Sequence, residues 1–372
     1  MQTKHVRHRA RCAAYLLGAF ASLCQSALAQ SKPAVDAEKA GARVAALLWY
    51  FPRSFQYDAH MVSQVAFSPD GKQLVAISTD ILNDAIRVFD LEADKERIRF
   101  GGPQRGYTCM VFTADGKTLF TAGYDRELLP RPVEQAPLKS CVILQWSPMN
   151  GRETLRFQPT MGEILSIHLT ESEKTLISIH VDGKLRFWDV ATGKEKRSWT
   201  APAGRNDPLV LGPDGHTVAL VSEDRSVELW DAERGVRVRQ LAKPPPEKWE
   251  KMDRLAYSPD GRLLACADHM GKSIQILDTT TGAVKRQFPQ PPGPLRGRWA
   301  PMAFSPDSTM LALHDGQSGV VWDSATGKEL LRDDRPWRYT VAFSRDSKRL
   351  TTGPSWTGPK RTASLHLWEL AR

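Results

Sequence analysis

Seven short motifs recur along this chain at nearly constant spacing, and this repetition restricts the possible folds more than any other feature. In each motif a bulky apolar residue, most often Trp, precedes a residue that is most often Asp. The motifs are Phe89-Asp90, Trp146-Ser147, Trp188-Asp189, Trp230-Asp231, Leu277-Asp278, Trp322-Asp323 and Trp368-Glu369, with successive spacings of 57, 42, 42, 47, 45 and 46 residues. A period of about 40–45 residues is typical of a propeller, in which each repeat supplies one blade of four strands.

A second turn motif runs in phase with the first. It occurs as Ser68-Pro69-Asp70-Gly71, Thr113-Ala114-Asp115-Gly116, Gly212-Pro213-Asp214-Gly215, Ser258-Pro259-Asp260-Gly261, Ser305-Pro306-Asp307-Ser308 and Ser344-Arg345-Asp346-Ser347, and it is degraded at residues 170–173. Pro fixes φ at the first central position of such a turn, and Asp and Gly tolerate the conformations that follow. In both motifs the chain resembles the WD-repeat (Trp-Asp repeat) β-propeller proteins, over residues 53–372.

The resemblance and the strand pattern predict an all-β fold, a single seven-bladed β-propeller of four-stranded antiparallel blades. We label the strands of each blade a to d. Predicted b strands such as residues 74–78 are short apolar runs, which suit strands covered on both faces. Predicted d strands such as residues 194–199 alternate charge with apolar bulk, which suits an outer edge. The last repeat lacks strand d, so residues 53–57, or alternatively 43–51, are expected to close the ring against residues 364–369.

The chain departs from the WD-repeat pattern at two positions. The family's Gly-His pair before strand a is absent, and His60 is the nearest match. The family's Asp in the turn before strand c is matched by Asp182 and Asp224 and poorly elsewhere. The hydrogen-bond network that the family builds on these residues is therefore expected to be incomplete.

Residues 1–29 have the features of a signal peptide, which would make the chain an exported, bacterial-type member of the family. A basic start without acidic residues precedes an apolar run at 12–23, and Ala27-Leu28-Ala29 offers a small-residue cleavage site. The run is too short to span a bilayer well. An uncleaved anchor and a lipoprotein lipidated at Cys24 are the alternatives. We expect a periplasmic or extracellular protein without an integral membrane span after signal removal, with a linker and possible edge strand at 30–52.

The charge limits the kinds of partner that the chain is expected to bind, and the cysteine positions bear on disulfide formation. The chain has 51 Lys and Arg residues against 42 Asp and Glu residues. All charged residues of the predicted signal peptide are basic, so its removal lowers the positive excess. A moderate positive excess permits an acidic protein partner without requiring one, and nucleic acid is not expected as a partner of an exported protein. The repeat phase sets Cys109, Cys141 and Cys266 too far apart for a disulfide, so all three are expected to be buried thiols.

No common catalytic or metal motif occurs in the sequence, whether HExxH, CxxC, GxSxG or a phosphate-binding Gly-rich loop. His180, His269 and His314 fall at b–c turns of separate blades, so they are not expected to converge on a metal ion. The sequence therefore predicts no catalytic residue, no metal site and no cofactor.

The tryptophans divide by their phase in the repeat. Trp188, Trp230, Trp322 and Trp368 are in phase and are expected to pack in the core between blades. Trp356 is out of phase, between Pro and Gly residues, and is expected to lie in a loop.

Long insertions are confined to one side of the predicted ring. They occupy residues 124–140, 242–254, 289–299 and 353–362, all in connections between strands d and a or between b and c. Repeat proteins place such insertions on the binding face. Aromatic and Arg side chains are enriched in binding hot spots. The predicted partner-binding residues are Trp249, Arg254, Arg296, Arg298, Trp299, Trp337, Arg338 and Tyr339.

Two functions fit these features. The first is a non-enzymatic protein-interaction scaffold of the cell envelope, a monomer that binds a protein partner on the loop-rich face. The alternative is a propeller enzyme or saccharide-binding protein that acts at the mouth of the central channel. Asp207 and Asp253, near the starts of strand a in two blades, are the hints for the alternative, and carboxylates clustered at that mouth would favour it.

Overall fold

The computed structural model describes 29 strands within residues 49–57, 62–78, 86–101, 105–125, 140–203, 208–242, 252–268, 274–288, 302–314, 318–333, 340–357 and 362–370. These residues belong to one compact unit that begins at Ala46. The strands form seven antiparallel sheets, each ordered a, b, c, d. The predicted signal peptide lies outside the described residues.

The first four blades follow one another along the chain. Blade 1 contains β2 (Val62–Phe67), β3 (Gln73–Ser78), β4 (Ile86–Asp90) and β5 (Lys95–Phe100). Blade 2 contains β6 (Arg105–Phe112), β7 (Leu119–Asp125), β8 (Ser140–Ser147), β9 (Arg152–Arg156) and the two-residue β10 (Thr160–Met161), which also pairs with β8. Blade 3 contains β11 (Ile164–Leu169), β12 (Thr175–His180), β13 (Lys184–Asp189) and β14 (Glu195–Thr200). Blade 4 contains β15 (Leu209–Leu211), β16 (Thr217–Val221), β17 (Val227–Asp231) and β18 (Val236–Ala242).

The last three blades complete the ring. Blade 5 contains β19 (Met252–Tyr257), β20 (Leu263–Asp268), β21 (Ile274–Asp278) and β22 (Val284–Phe288). Blade 6 contains β23 (Met302–Phe304), β24 (Met310–His314), β25 (Gly319–Asp323) and β26 (Glu329–Asp333). Blade 7 contains β27 (Val341–Phe343), β28 (Arg349–Thr357), β29 (Thr362–Glu369) and β1 (Trp49–Tyr57). The predicted seven-bladed, four-stranded antiparallel propeller is confirmed.

Both ends of the described chain meet in blade 7. Strand β1 pairs antiparallel with β29, so that Arg53 faces Leu367 and Tyr57 faces Ala363. Strand β1 begins at Trp49, before the predicted residues 53–57, and supplies the missing strand d. The pairing covers the edge of strand c that the last repeat leaves open, as predicted.

The a–b turn of blade 1 explains why Ser-Pro-Asp-Gly separates two strands. The Ser68 hydroxyl donates to Asp70 Oδ1 at 2.6 Å, and the Gly71 amide donates to the Ser68 carbonyl at 2.8 Å. Gly71 has a φ of +69°, in the left-handed region that Gly reaches without a Cβ clash. The hydrogen bonds from Ser68 and the Lys72 amide hold the pKa of Asp70 below its ordinary value. The turn therefore satisfies its own polar groups.

Every repeated dipeptide lies at the end of a c strand, where its two residues have different roles. The Asp begins the c–d turn, as in blade 3, where Asp189 Oδ1 accepts the amide and the hydroxyl of Thr192 at 3.0 and 2.9 Å. The apolar residue packs between blades. The ring of Phe157 lies 6.0 Å from both Phe120 of blade 2 and Trp188 of blade 3. The core is thus a series of layers between neighbouring sheets.

The in-phase tryptophans are not equally buried. Trp188, Trp322 and Trp368 are 1%, 4% and 7% exposed, which confirms their predicted core positions. Trp230 is half-buried and packs against the apolar cluster between blades 3 and 4, so its predicted core position is confirmed, with part of the ring left exposed. Its ring stacks on Trp199 of the preceding outer strand, with ring centres 6.2 Å apart, and this site lies toward the outside of the ring.

The three cysteines of the propeller are buried thiols that form no disulfide with one another. Cys109 and Cys141 lie in strands a and c of blade 2, and Cys266 lies in strand b of blade 5. Burial raises the pKa of Cys109 to about 12 and raises that of Cys266 further above its ordinary value. The predicted burial is confirmed, and the thiols behave as small apolar side chains.

The prediction of a loop at residues 353–362 is wrong for its first half. Strand β28 continues to Thr357, with Trp356 paired to Ala363 of β29. The pairing register shifts between Thr352 and Ser355. A bulge at this point accommodates Pro354, which cannot donate a hydrogen bond to the neighbouring strand.

Candidate functional site

The antiparallel blades give the ring two different faces. The turn-side face carries the a–b and c–d turns, such as residues 68–71 and 191–194. The loop-side face carries the b–c and d–a connections, which include residues 126–139, 243–251 and 289–301. The turn-side connections are short, and the insertions found in the sequence all fall on the loop-side face. The first strands of neighbouring blades contact each other around the centre, as β19 does with β23 and β23 with β27.

Seven of the eight predicted partner-binding residues lie outside the described residues: Trp249, Arg296, Arg298, Trp299, Trp337, Arg338 and Tyr339. They belong to the connections 243–251, 289–301 and 334–339, whose flanking strands are described. Connection 289–301 leads into β23 and connection 334–339 leads into β27, and these two strands are in contact. The prediction that the two connections are neighbours on the loop-side face stays a prediction.

Arg254 is the one predicted partner-binding residue whose side chain is described. It lies in β19 opposite Ala267 and is 6% exposed. A partner could therefore contact little of it. The signal that placed it in the loop was its position beside the insertion, which gives no information on the direction of the side chain.

Blade 3 shows how a described part of the loop-side face is held. Trp188 Nε1 donates to Ser178 Oγ at 2.9 Å, and Ser178 Oγ lies 2.9 Å from His180 Nε2. Burial lowers the pKa of His180 to about 4, so the ring is neutral at pH 7. Its Nε2 can then accept a hydrogen bond from the Ser178 hydroxyl. His180 in turn begins the b–c turn, since its carbonyl accepts the Gly183 amide at 2.9 Å. The repeat Trp thus anchors a loop-side turn.

Related but simpler bonds link strands b and c in other blades. Trp146 Nε1 donates to Thr121 Oγ1 at 2.8 Å, and Trp368 Nε1 donates to Thr352 Oγ1 at 3.5 Å. Asp182, the residue that matches the family's turn Asp, accepts the Lys184 amide at 3.1 Å. Sequence reasoning missed these hydroxyls, although each lies in strand b, two residues after the residue that pairs with the repeat Trp.

Blade 4 replaces the hydroxyl with a carboxylate. Trp230 Nε1 donates to Glu228 Oε2 at 2.8 Å, within the same strand. The Glu228 side chain is 7% exposed, and Arg237 of β18 lies 3.0 Å from its other oxygen. Sequence reasoning did not identify Glu228, because an acidic residue two positions before Trp gives no sign of its burial.

A cavity of about 590 Å³ opens at the turn-side end of the central channel. It is lined by the first strands of blades 2 to 6 and by the a–b turns of blades 2 to 5. In that lining Glu173 Oε1 accepts the Ala114 amide at 2.5 Å, and Glu171 lies nearby. Burial lowers the pKa of His168 to about 4, and its Nε2 lies 3.2 Å from Ser166 Oγ. The Glu173 bond ties blade 3 to blade 2, whereas the His168 contact lies within β11.

The structure describes only some of the residues behind two further predictions, the channel-mouth carboxylates and the histidines at b–c turns. Asp207 and the side chain of Asp253, the hints for a channel-mouth enzyme, lie outside the described residues, as do His269 and the side chain of His314. Among the described residues, no group of three or more His, Cys, Asp or Glu side chains could hold a metal ion. In the same part of the chain, no helix is long and apolar enough to cross a membrane.

No protein-family model matches the chain. The chain is similar to the Protein LST8 homolog of Drosophila melanogaster, with 26% identity over 213 residues, or 56% of this chain and 62% of that protein. It is also similar to Protein HIR1 of Cryptococcus neoformans, with 21% identity over 232 residues, or 56% of this chain and 25% of that protein. A third match is Apoptotic protease-activating factor 1 of Rattus norvegicus, with 24% identity over 189 residues, or 50% of this chain and 13% of that protein.

These relatives are WD-repeat proteins, and their similarity agrees with the seven-bladed fold. The chain spans less than two thirds of the length of the curated relatives it matches.

Proposed function

We propose that this protein is a non-enzymatic interaction scaffold, exported to the periplasm or the cell exterior, that binds a protein partner on its loop-side face. The observation that carries the proposal is the contrast between the two faces. Insertions with Trp, Tyr and Arg occur in the loop-side connections, whereas the turn-side connections are uniformly short. The signal-like residues 1–29 support export.

The polar groups of the turn-side face are largely engaged within their own turns. In blade 6, Ser305 Oγ donates to Asp307 Oδ1 at 2.6 Å, and in blade 7 Ser344 Oγ donates to Asp346 Oδ1 at 2.6 Å. The same carboxylate of Asp346 accepts the Lys348 amide at 3.0 Å. Groups that already bond each other offer a partner little new hydrogen bonding. This favours the opposite face for recognition.

The basic and aromatic residues of connections 289–301 and 334–339 suit an acidic protein surface. Arg presents a planar donor group for carboxylates, and Trp and Tyr supply large apolar contact areas. Because β23 and β27 are in contact, the two connections lead into adjacent strands. We propose that Arg298 and Arg338 belong to one binding patch.

Affinity capture from an envelope extract, with the signal-free chain as bait, tests the proposal. We expect the double variant Arg298→Ala/Arg338→Ala to capture less partner while its melting temperature stays near that of the parent. The matched control is Lys194→Ala/Lys328→Ala, since both lysines are exposed on the turn-side face. Capture by the parent should also fall as salt rises, because salt screens exposed charges.

Capture lost in the lysine control and kept in the arginine variant would reverse the assignment of the face. A chain that hydrolyses or binds saccharides and captures no protein would replace the scaffold with the channel-mouth alternative. Export is tested separately, by cell fractionation of the full chain with and without residues 1–29.

A further inference from the structure

The outer strand of blade 4 differs from the other outer strands. Five successive residues of β18, from Val236 to Gln240, are exposed. Val236 is 50% and Val238 is 61% exposed. Among the outer strands with described side chains, β5, β9, β14, β22 and β26, none has more than two exposed residues in succession. Strand β18 is therefore an unusually open sheet edge.

In two neighbouring outer strands an Arg reaches the next blade. Arg197 of β14 donates to the Glu233 carbonyl and lies over the Phe187 ring, and Arg286 of β22 donates to the Ala325 carbonyl. Arg239 of β18 occupies the same place, opposite the c-strand residue before the repeat position. Within the described part of the chain, the Arg239 guanidinium has no hydrogen bond or ion pair. It is a charge on the edge without a partner there.

Three properties of β18 define what could bind it. Strand β18 pairs with β17 on one side, and its other side ends the sheet. A sheet edge of this kind can accept an extended peptide as a further strand. Val236 and Val238 would be covered by apolar side chains, and Arg239 would attract a carboxylate. Arg237 already forms an ion pair with Glu228 at 3.0 Å, so its charge is less available to a partner.

We propose that the β18 edge binds an extended, acidic segment of a protein partner by strand addition. A second copy of this chain is a poorer occupant, because two β18 edges would bring their arginines together. The surface lies on the outer wall of blade 4, and it uses none of the residues assigned to the loop-side patch. The inference therefore stands apart from the proposed partner contact of that face.

Fluorescence anisotropy with the signal-free chain tests this edge, with a labelled short peptide that alternates Glu and Val as the probe. We expect binding of this probe and little binding of a matched peptide that alternates Lys and Val. Arg239→Glu should weaken binding of the Glu-Val peptide about tenfold, since it removes a surface ion pair and adds a like charge. The control Arg345→Glu makes the same charge change on an exposed turn of blade 7 and should leave the affinity unchanged.

A charge swap keeps the test independent of folding. The Arg239→Glu variant should gain affinity for the Lys-Val peptide, which a misfolded protein would not do. Hydrogen exchange should show that the Glu-Val peptide protects the β18 amides and leaves those of β14 unchanged. Absence of binding, equal losses in both variants, or protection elsewhere would overturn the proposal. Self-association that protects β18 without peptide would replace the acidic segment with a second copy of the chain.

Discussion

Blades 3 and 4 are neighbours with the same strand order, yet they hold the repeat Trp with different chemistry. In blade 3, Trp188 is buried and bonds a neutral pair, Ser178 and His180. In blade 4, Trp230 is half-buried and bonds Glu228, whose charge is balanced by Arg237 at 3.0 Å. The comparison shows that the repeat motif sets the position of the Trp in strand c. Its burial and its partner are set by residues outside the motif.

The outer neighbours explain the difference in burial. Trp188 meets Phe157, whose ring lies 6.0 Å away and which is itself buried. Trp230 instead stacks on Trp199, whose Nε1 donates to the Ala232 carbonyl at 2.8 Å. A flat stack of two indoles at the outside of the ring leaves part of both exposed. Blade 3 therefore depends on apolar burial, and blade 4 depends more on charge.

The largest expected effect is on the two repeat tryptophans. Trp188→Ala should lower the free energy of unfolding by about 3–5 kcal/mol, because it removes a buried side chain and leaves a cavity. Trp230→Ala should cost about half as much, since part of its surface is already in water. Urea denaturation of the two variants measures both values. Equal losses would remove the distinction between the blades.

The second effect concerns pH and comes from two histidines of blade 3. Burial lowers the pKa of His180 from 6.5 to about 4, so between these values the unfolded chain binds more protons than the folded one. Stability should therefore fall as pH drops from about 7 to 4, by up to about 3 kcal/mol for this residue. His168, with its pKa lowered to about 4, adds to the same slope.

Unfolding free energies measured by urea denaturation across this pH range check the assignment. His180→Gln should flatten the slope, and His168→Gln added to it should flatten the slope further. The matched control is His216→Gln, the same change at an exposed position of blade 4. An unchanged slope in the His180 variant would contradict the neutral buried ring.

The smallest expected effect compares one ion pair in each blade. Arg237→Ala leaves the Glu228 carboxylate buried with less compensation and should cost about 1–3 kcal/mol. Arg186→Ala breaks the 2.6 Å pair with Glu195 of blade 3, whose side chain water can reach, and should cost about 1 kcal/mol or less. Thermal unfolding of the two variants in parallel ranks them. A larger loss of stability for Arg186→Ala than for Arg237→Ala would contradict the greater dependence of blade 4 on charge.

Local sequence chemistry accounts for the parts of the fold that could be predicted. Turns such as Ser68–Gly71 are built from bonds among four adjacent residues, so their sequence is sufficient to place them. Strand closure by β1 was predictable because the last repeat lacks a strand. The extension of β28 past Pro354 was not predictable, because a bulge in the pairing with β29 absorbs the Pro.

Contacts between blades limit what the sequence reveals about the site. The burial of Arg254 follows from neighbouring strands, and Arg239 of β18 lacks the contact to the next blade that Arg197 and Arg286 make. Neither depends on residues close in sequence. Most residues of the predicted loop-side patch lie in connections outside the described residues, so the patch stays a prediction.

Cross-linking of the captured complex with a lysine-reactive reagent tests the central claim, because lysines occur on both faces. The loop-side connections contain Lys139, Lys243, Lys248, Lys251, Lys272 and Lys360. The turn-side turns contain Lys72, Lys117, Lys174, Lys194, Lys328 and Lys348. A partner bound on the loop-side face should cross-link to the first group and protect it from modification, with the second group unchanged. Cross-links that come mainly from the second group would contradict the account.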